Sequence, residues 1–200
     1  MRKNNKKKII IFCLVIILAI CWVWRYTSLN SYYQSLSDQT TVCFPSGEKV
    51  PFGTAYLEKD LSANGYWLQV NDFAILDYGD YTATLETKLE TLGQPPEKIA
   101  LVYVTLYNEN SNEDGVMLTE LTLHGHDSYA GMNWYALLAS NPVLEGNYGI
   151  NLAQGSSYDL ILPYSLFASS FSSYTWNHID EYDFYLRITF YPTAKDIQVQ

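Results

Sequence analysis

The stretch His124-Gly125-His126-Asp127 has the most direct chemical potential in the chain. On an extended strand, residues two apart project from one face, which is how two imidazoles share a zinc ion. A catalytic zinc needs a third protein ligand and an open position. His178 is the only further histidine, and Asp127 and Asp180 are the nearest carboxylates. The competing reading is a polar strand end that turns at Gly125, and it requires no metal. His124 and His126 therefore stand as weak metal candidates, and neither a metal nor another cofactor is expected.

Asn110-x-Asn112-x-Asp114-Gly115 copies the first half of a calcium loop, with oxygens at alternate positions. The bidentate acid needed at the twelfth position falls on Leu121, so a solvated loop is the better reading. Asp72, Asp77 and Asp80 form a second acidic group, and Asn177–Asp183 a third, read as an exposed approach to the last strand. Gly155-Ser156-Ser157-Tyr158 departs from the Gly-x-Ser-x-Gly elbow of serine hydrolases. No glycine loop for phosphate is present, and Ser, His and Asp are not spaced so as to nominate a triad. No catalytic residue is assigned, and the chain is read as a non-enzyme.

Eighteen tyrosines set the chain apart. Aromatic rings with a polar tip suit partly wet binding surfaces, including sugar platforms. Strands favour tyrosine in any case, so much of this set belongs to the core. Trp134, Tyr135, Tyr174 and Trp176 are the aromatic residues nominated for contact with a partner.

The elements that must position these groups read as strands. Gly65–Leu76 alternates, with β-branched or aromatic residues at many positions. Ile99–Tyr107 is apolar on both faces at its centre, as a central strand should be. Asn108–Gly115 reads as a turn, with Val116–His124 returning as its hairpin partner. Tyr148–Leu152, Ser157–Leu162, Tyr182–Tyr191 and Ile197–Val199 read as further strands, while Trp134–Ser140 and Leu166–Trp176 look helical or irregular. Many short strands without a long helix argue for an all-β fold, a β-sandwich of immunoglobulin-like topology.

Charge divides the chain sharply. Half of the 12 basic residues lie in the first 25 positions, and all 21 acidic ones follow from Asp38 onward. Residues 27–200 thus carry a net charge of −15, against −9 for the whole chain. Such a surface repels nucleic acid and anionic lipid headgroups, and no nucleic-acid partner is expected. Cationic partners are electrostatically easier.

Ile9–Trp24 is sixteen residues without a charge, flanked by Lys6–Lys8 and Arg25. As a helix it reaches ~24 Å, short of the ~30 Å hydrocarbon core. Snorkelling by Lys8 and Arg25, with Trp22, Trp24 and Tyr26 at the interface, closes that gap. Basic residues ahead of the segment place the N-terminus in the cytoplasm. No A-x-A cleavage site follows, and Ile20 stands where a lipobox before Cys21 needs a small residue, so a retained signal-anchor is the reading adopted. The expected organisation is a basic stub over residues 1–8, a transmembrane helix over 9–26, a polar stalk over 27–41 and an extracellular β-sandwich over 42–200. Cys43 is the only cysteine in that outer part, which leaves it without an internal disulfide.

This order is followed by Gly47-Glu48-Lys49-Val50, the strand Gly65–Leu76, the strand and turn Ile99–Asn110, Gly155-Ser156-Ser157-Tyr158-Asp159-Leu160 and the closing Tyr185–Ile188. Together they resemble the uncharacterised immunoglobulin-like extracellular domains found behind membrane anchors in Gram-positive bacteria, which are similar to the mycobacterial immunoprotective extracellular immunoglobulin-like superfamily. The resemblance covers roughly residues 42–200. It implies a sandwich fold and surface exposure, and it carries over no functional residue. The function expected is a membrane-tethered surface module that binds a protein or another envelope component. The alternatives are a carbohydrate- or peptidoglycan-binding module and a metal-dependent envelope enzyme.

Overall fold

The structure is a computed structural model that describes residue 12 and residues 15–28, 40–58, 61–85, 94–110, 115–126 and 128–200. The chain divides into two compact units, Met1–Gln39 and Thr40–Gln200.

In the first unit, residues 15–28 form a helix, α1, exposed along its whole length. Trp22 stacks on Tyr26, one turn later, with ring centroids 5.5 Å apart. Thr27 Oγ1 donates to the carbonyls of Val23 and Trp24 at 3.0 Å each. Among the described residues no helix is long and apolar enough to cross a membrane. Positions 9–11, 13 and 14 of the expected span lie outside the described residues, as do positions 29–39 of the expected stalk. Both described ends of that stalk are structured: Thr27 and Ser28 are helical, and Thr40 and Thr41 open the first strand.

The second unit is predominantly β. Its main sheet has nine strands: β1 (Thr40–Phe44), β2 (Lys49–Pro51), β5 (Tyr66–Asp77), β6 (Lys98–Asn108), β8 (Thr122–His124), β9 (Tyr129–Met132), β11 (Ser157–Leu166), β12 (Tyr185–Thr189) and β13 (Thr193–Gln198). Their order across the sheet is β1-β13-β12-β8-β9-β11-β6-β5-β2. Every pairing is antiparallel except that of β1 with β13. Two small pairs stand apart, β3 (Tyr56–Glu58) with β4 (Leu61–Ser62), and β7 (Val116–Met117) with β10 (Gly149–Ile150). Short helices α2 (Tyr78–Ala83), α3 (Trp134–Ser140) and α4 (Ser173–Asn177) fill the connections.

β1 and β2 are the two edges of this sheet, yet four residues, Pro45–Glu48, join them. Four residues span at most ~14 Å, so the sheet must curl back until its edges are neighbours. The turn is reached through Gly47, whose φ of 81° suits a residue without a Cβ. β9 is the pivot. Its Tyr129 and Ala130 pair with β8, and its Gly131 and Met132 pair with β11. Pro163 faces that short strand from β11: its carbonyl accepts from Asn133 N at 2.8 Å, beyond the β9 ladder, so the donor it lacks breaks no pairing there.

Burial follows from the alternation of each strand. Val102, Val104 and Leu106 of β6 enter the main core, while Ile99 and Leu101 meet Tyr78, Tyr81 and Ala136 in a smaller cluster. The strand that reads as apolar on both faces is therefore covered on both. Leu68, Val104, Leu160 and Leu162 share the main core with Leu123, Leu186 and Ile197 from the strands beyond β9.

One sequence expectation is corrected. Val116–His124 is not the hairpin partner of Ile99–Tyr107, because β6 pairs with β5 and β11, and β8 pairs with β12 and β9. The buried positions Val116, Leu118, Leu121 and Leu123 skip one residue at Thr119-Glu120. A 3-10 turn over Leu118–Glu120 absorbs that slip and separates β7 from β8.

Lys195 of β13, the strand next to edge β1, reaches the opposite edge. Its Nζ donates to the carbonyls of Pro51, the last residue of β2, at 2.6 Å and of Phe52 just beyond it at 3.0 Å. Burial pulls its pKa below the usual lysine value. Removing the ammonium strands two carbonyls, so Lys195→Met is expected to cost about 1–3 kcal/mol. The shift in urea midpoint, at unchanged slope, is the measurement that checks it.

Candidate functional site

The first four strands of the sheet order present a polar outer face. Cys43 stands opposite Asp196, Asp196 opposite Arg187, and Tyr185 opposite His124. Residues directly opposite one another share a face, and Arg187 and Tyr185 are two apart on β12. These five side chains therefore project to one side, while the intervening Leu123, Leu186 and Ile197 fill the core. With Gly125, His126, Glu181, Tyr182 and Asp183 they line a cleft of about 690 Å3.

Asp196 organises this cleft. It is 3% exposed, and the Arg187 guanidinium clamps it by two hydrogen bonds, Nε to Oδ1 at 2.8 Å and Nη2 to Oδ2 at 2.9 Å. His124 Nε2 lies 3.2 Å from Oδ2 on the other side. That nitrogen is buried and makes no well-directed hydrogen bond. Burial pushes the Asp196 pKa up, but the bonds from Arg187 and the neighbouring His124 outweigh it and hold the carboxyl down at about 2. The same clamp raises the Arg187 pKa, against the opposing effect of burial. Tyr185 stacks over His124 with centroids 5.9 Å apart, and the Arg187 guanidinium sits 5.7 Å from the Phe190 ring.

The wall of the cleft is aromatic. A Cβ on Gly125 would fall 2.0 Å from Tyr182 Cε1, so only glycine lets this ring lie against the strand end. Tyr182 is in turn packed edge-on to Phe184 and Phe171, at 5.0 Å and 6.0 Å. Ser128 Oγ donates to its hydroxyl at 3.3 Å.

The two nominated histidines do meet in one cleft, but not as a strand pair. β8 ends at His124, and His126 lies beyond Gly125 on the exposed rim. His124 faces Asp196, and the described residues contain no group of three or more His, Cys, Asp or Glu arranged to hold a metal ion. Asp127 is outside the described residues, as are 111–114 of the calcium-like loop. The acidic group at β5 does not converge. Asp72 Oδ1 accepts the N–H of Phe73 at 2.8 Å, and Asp77 pairs with Lys98 at 3.2 Å.

The nominated aromatic residues separate into surface and core. Trp134 is 55% exposed and tilts against the exposed Tyr148, with centroids 5.6 Å apart. Tyr174 is 76% exposed and stacks on His178 at 4.6 Å. Tyr135 is half-buried, and Trp176 packs against the core beside Phe171 at 5.8 Å.

Sequence reasoning did not select Cys43, Glu181, Asp183, Tyr185, Arg187 or Asp196 as site residues. One signal was present: Arg187 and Asp196 are opposite charges set within the two last strands, beside the apolar Leu186, Ile188 and Ile197. Interior charges are rarely left unpaired.

A model of the family described as "Domain of unknown function (DUF5028)" matches residues 41–195. Neither the comparison with curated proteins nor that with solved structures gave a match.

Asp196 has a folded pKa of about 2 against 3.8 as its ordinary value. In the window between them the unfolded chain binds more protons, so stability rises with pH. The contribution of about 2 kcal/mol is complete above pH ~5 and is lost as pH falls toward 2. Acid unfolding of the wild type against Asp196→Asn checks this: the variant is expected to lack that portion of the acid limb. Arg187→Met, which strands the carboxylate, is expected to cost about 3 kcal/mol at neutral pH.

Proposed function

The chain belongs to the family described as "Domain of unknown function (DUF5028)", and from that premise we propose that it is a membrane-tethered, cell-surface binding module. The second unit is read as an immunoglobulin-like sandwich of the Gram-positive envelope kind, with the basic N-terminus in the cytoplasm. Support for the tether comes from the charge division and from α1, where Ile16, Leu18, Ile20, Trp22 and Trp24 are all exposed. Support for the sandwich comes from the curled sheet and the main core shared by its strands.

The observation that carries the binding reading is the locked Asp196 cleft. A catalytic base works best with a pKa near the operating pH. Asp196 is held far below that, and Arg187 and His124 are occupied in holding it. Glu181, Asp183 and His126 at the rim are exposed and make no ion pair among the described residues. The cleft thus has a rigid floor and adaptable polar edges, which suits recognition rather than turnover.

Cys43 reports on both parts of this proposal. In cells carrying the chain with Cys13 and Cys21 replaced by serine, a membrane-impermeant maleimide is expected to label Cys43 from outside. Pre-incubation with envelope fragments is expected to protect it, and Glu181→Gln/Asp183→Asn to remove the protection. Labelling only after lysis would overturn the topology. Equal labelling with and without envelope would overturn the cleft as binding site.

A second reading, a carbohydrate- or peptidoglycan-binding module, is favoured by the tilted Trp134–Tyr148 pair. It sits where Asn133–Leu144 carries no charge, a neutral area on an acidic domain. If that surface holds sugar, Trp134→Ala is expected to weaken retention on purified peptidoglycan by about tenfold or more. Unchanged retention would remove this reading.

A further inference from the structure

The two edges of the sheet are treated differently. β2 is three residues long and carries Lys49 and Pro51, the devices that discourage another strand from pairing. Lys49 is further held by Glu109 and lies 4.0 Å from the centroid of the Tyr107 ring. β1 has neither protection. Its five residues, Thr40–Phe44, contain no charge and no proline, and the first four are exposed. Among the described residues only β13 pairs with it, and its outer row of backbone N–H and C=O groups has no strand partner there. Cys43 places this edge directly on the wall of the cleft.

Charge decides which strand fits. Another copy of this domain brings a second net charge of −14, whereas a basic segment is attracted. The carboxylates of Glu181 and Asp183 stand on the same cleft. We propose that the β1 edge takes up an extended, positively charged peptide segment as an added strand, with one of its side chains entering the Cys43–Asp196 cleft toward Glu181 and Asp183. Main-chain pairing supplies affinity, and the cleft selects a cationic side chain. The proposal rests on the cleft being the binding site and names the ligand class for it.

The test uses the full-length chain in mild detergent and a synthetic peptide of alternating lysine and valine, about eight residues long to match a strand. Two further peptides carry backbone N-methyl groups on the odd or on the even residues, and a fourth replaces lysine by glutamate. The lysine peptide is expected to bind and to protect Cys43 from maleimide. One N-methylated series is expected to bind about tenfold more weakly or worse, since it lacks donors on the pairing edge. Val42→Lys, which blunts β1 as Lys49 blunts β2, and Glu181→Gln/Asp183→Asn are each expected to weaken binding at least about threefold. No binding of the lysine peptide overturns the proposal, as does equal binding of both N-methylated series, because charge alone would then explain it. The N-methyl comparison needs no protein variant, so a misfolded Val42→Lys does not blunt the test. Protection of Cys43 by envelope fragments but not by the lysine peptide refutes the peptide while leaving the cleft as a binding site.

Discussion

One carboxylate, Asp196, sets the terms for the outer face of this sheet. It lies in the middle of β13, where the alternation that buries Ile197 turns it to the opposite side. Left unpaired there, an ionised carboxylate would be costly to bury. The bidentate clamp from Arg187 and the approach of His124 make the charge tolerable, and in doing so they join β13, β12 and β8 by side chains as well as by backbone. Buried ion pairs are weak evidence for stability, since an apolar replacement often serves as well. Their retention in a strand that could have been apolar points to the cleft they shape.

The same network explains why the cleft has walls. His124 is held over Asp196 with Tyr185 stacked on it, and the chain leaves β8 at Gly125, against which Tyr182 is pressed. Tyr182, Phe184 and Phe171 continue from that wall into the main core, so the surface feature is anchored to the interior through packed rings. At the other end of the cleft the wall is β1 itself, paired among the described residues with β13 alone, with Phe44 packed against the core. Rigid floor, aromatic wall and open edge therefore lie side by side. On that combination the proposed recognition role rests.

Much of the fold was legible in the sequence. Ile99–Tyr107 reads as a doubly covered strand and is one, and Gly65–Leu76 reads as an alternating strand and becomes β5. Trp134–Ser140 reads as helical or irregular and forms α3, with Asn133 as its cap accepting from Ala136 N at 3.0 Å. Pairing was less legible, because alternation shows which residues face the core and leaves open which strand lies alongside. The misassigned hairpin partner at Val116–His124 follows from this: local continuity suggested one strand, and the slip at Thr119-Glu120 hid a change of face. The cleft was the least legible part. His124 and Asp196 are far apart in sequence, and only the strand order brings them together. Of the histidine pair, His124 lies against Asp196 and His126 stands on the exposed rim.

The central claim is that Asp196 is an ionised, clamped carboxylate on which the cleft is built. The most direct measurement is an acid titration of the full chain that follows the carboxyl carbon of Asp196 by 13C NMR, assigned through Asp196→Asn. Titration at about pH 2 is the expected result. Titration near ~4, as for an aspartate in water, would mean that the clamp does not hold in solution and would contradict it.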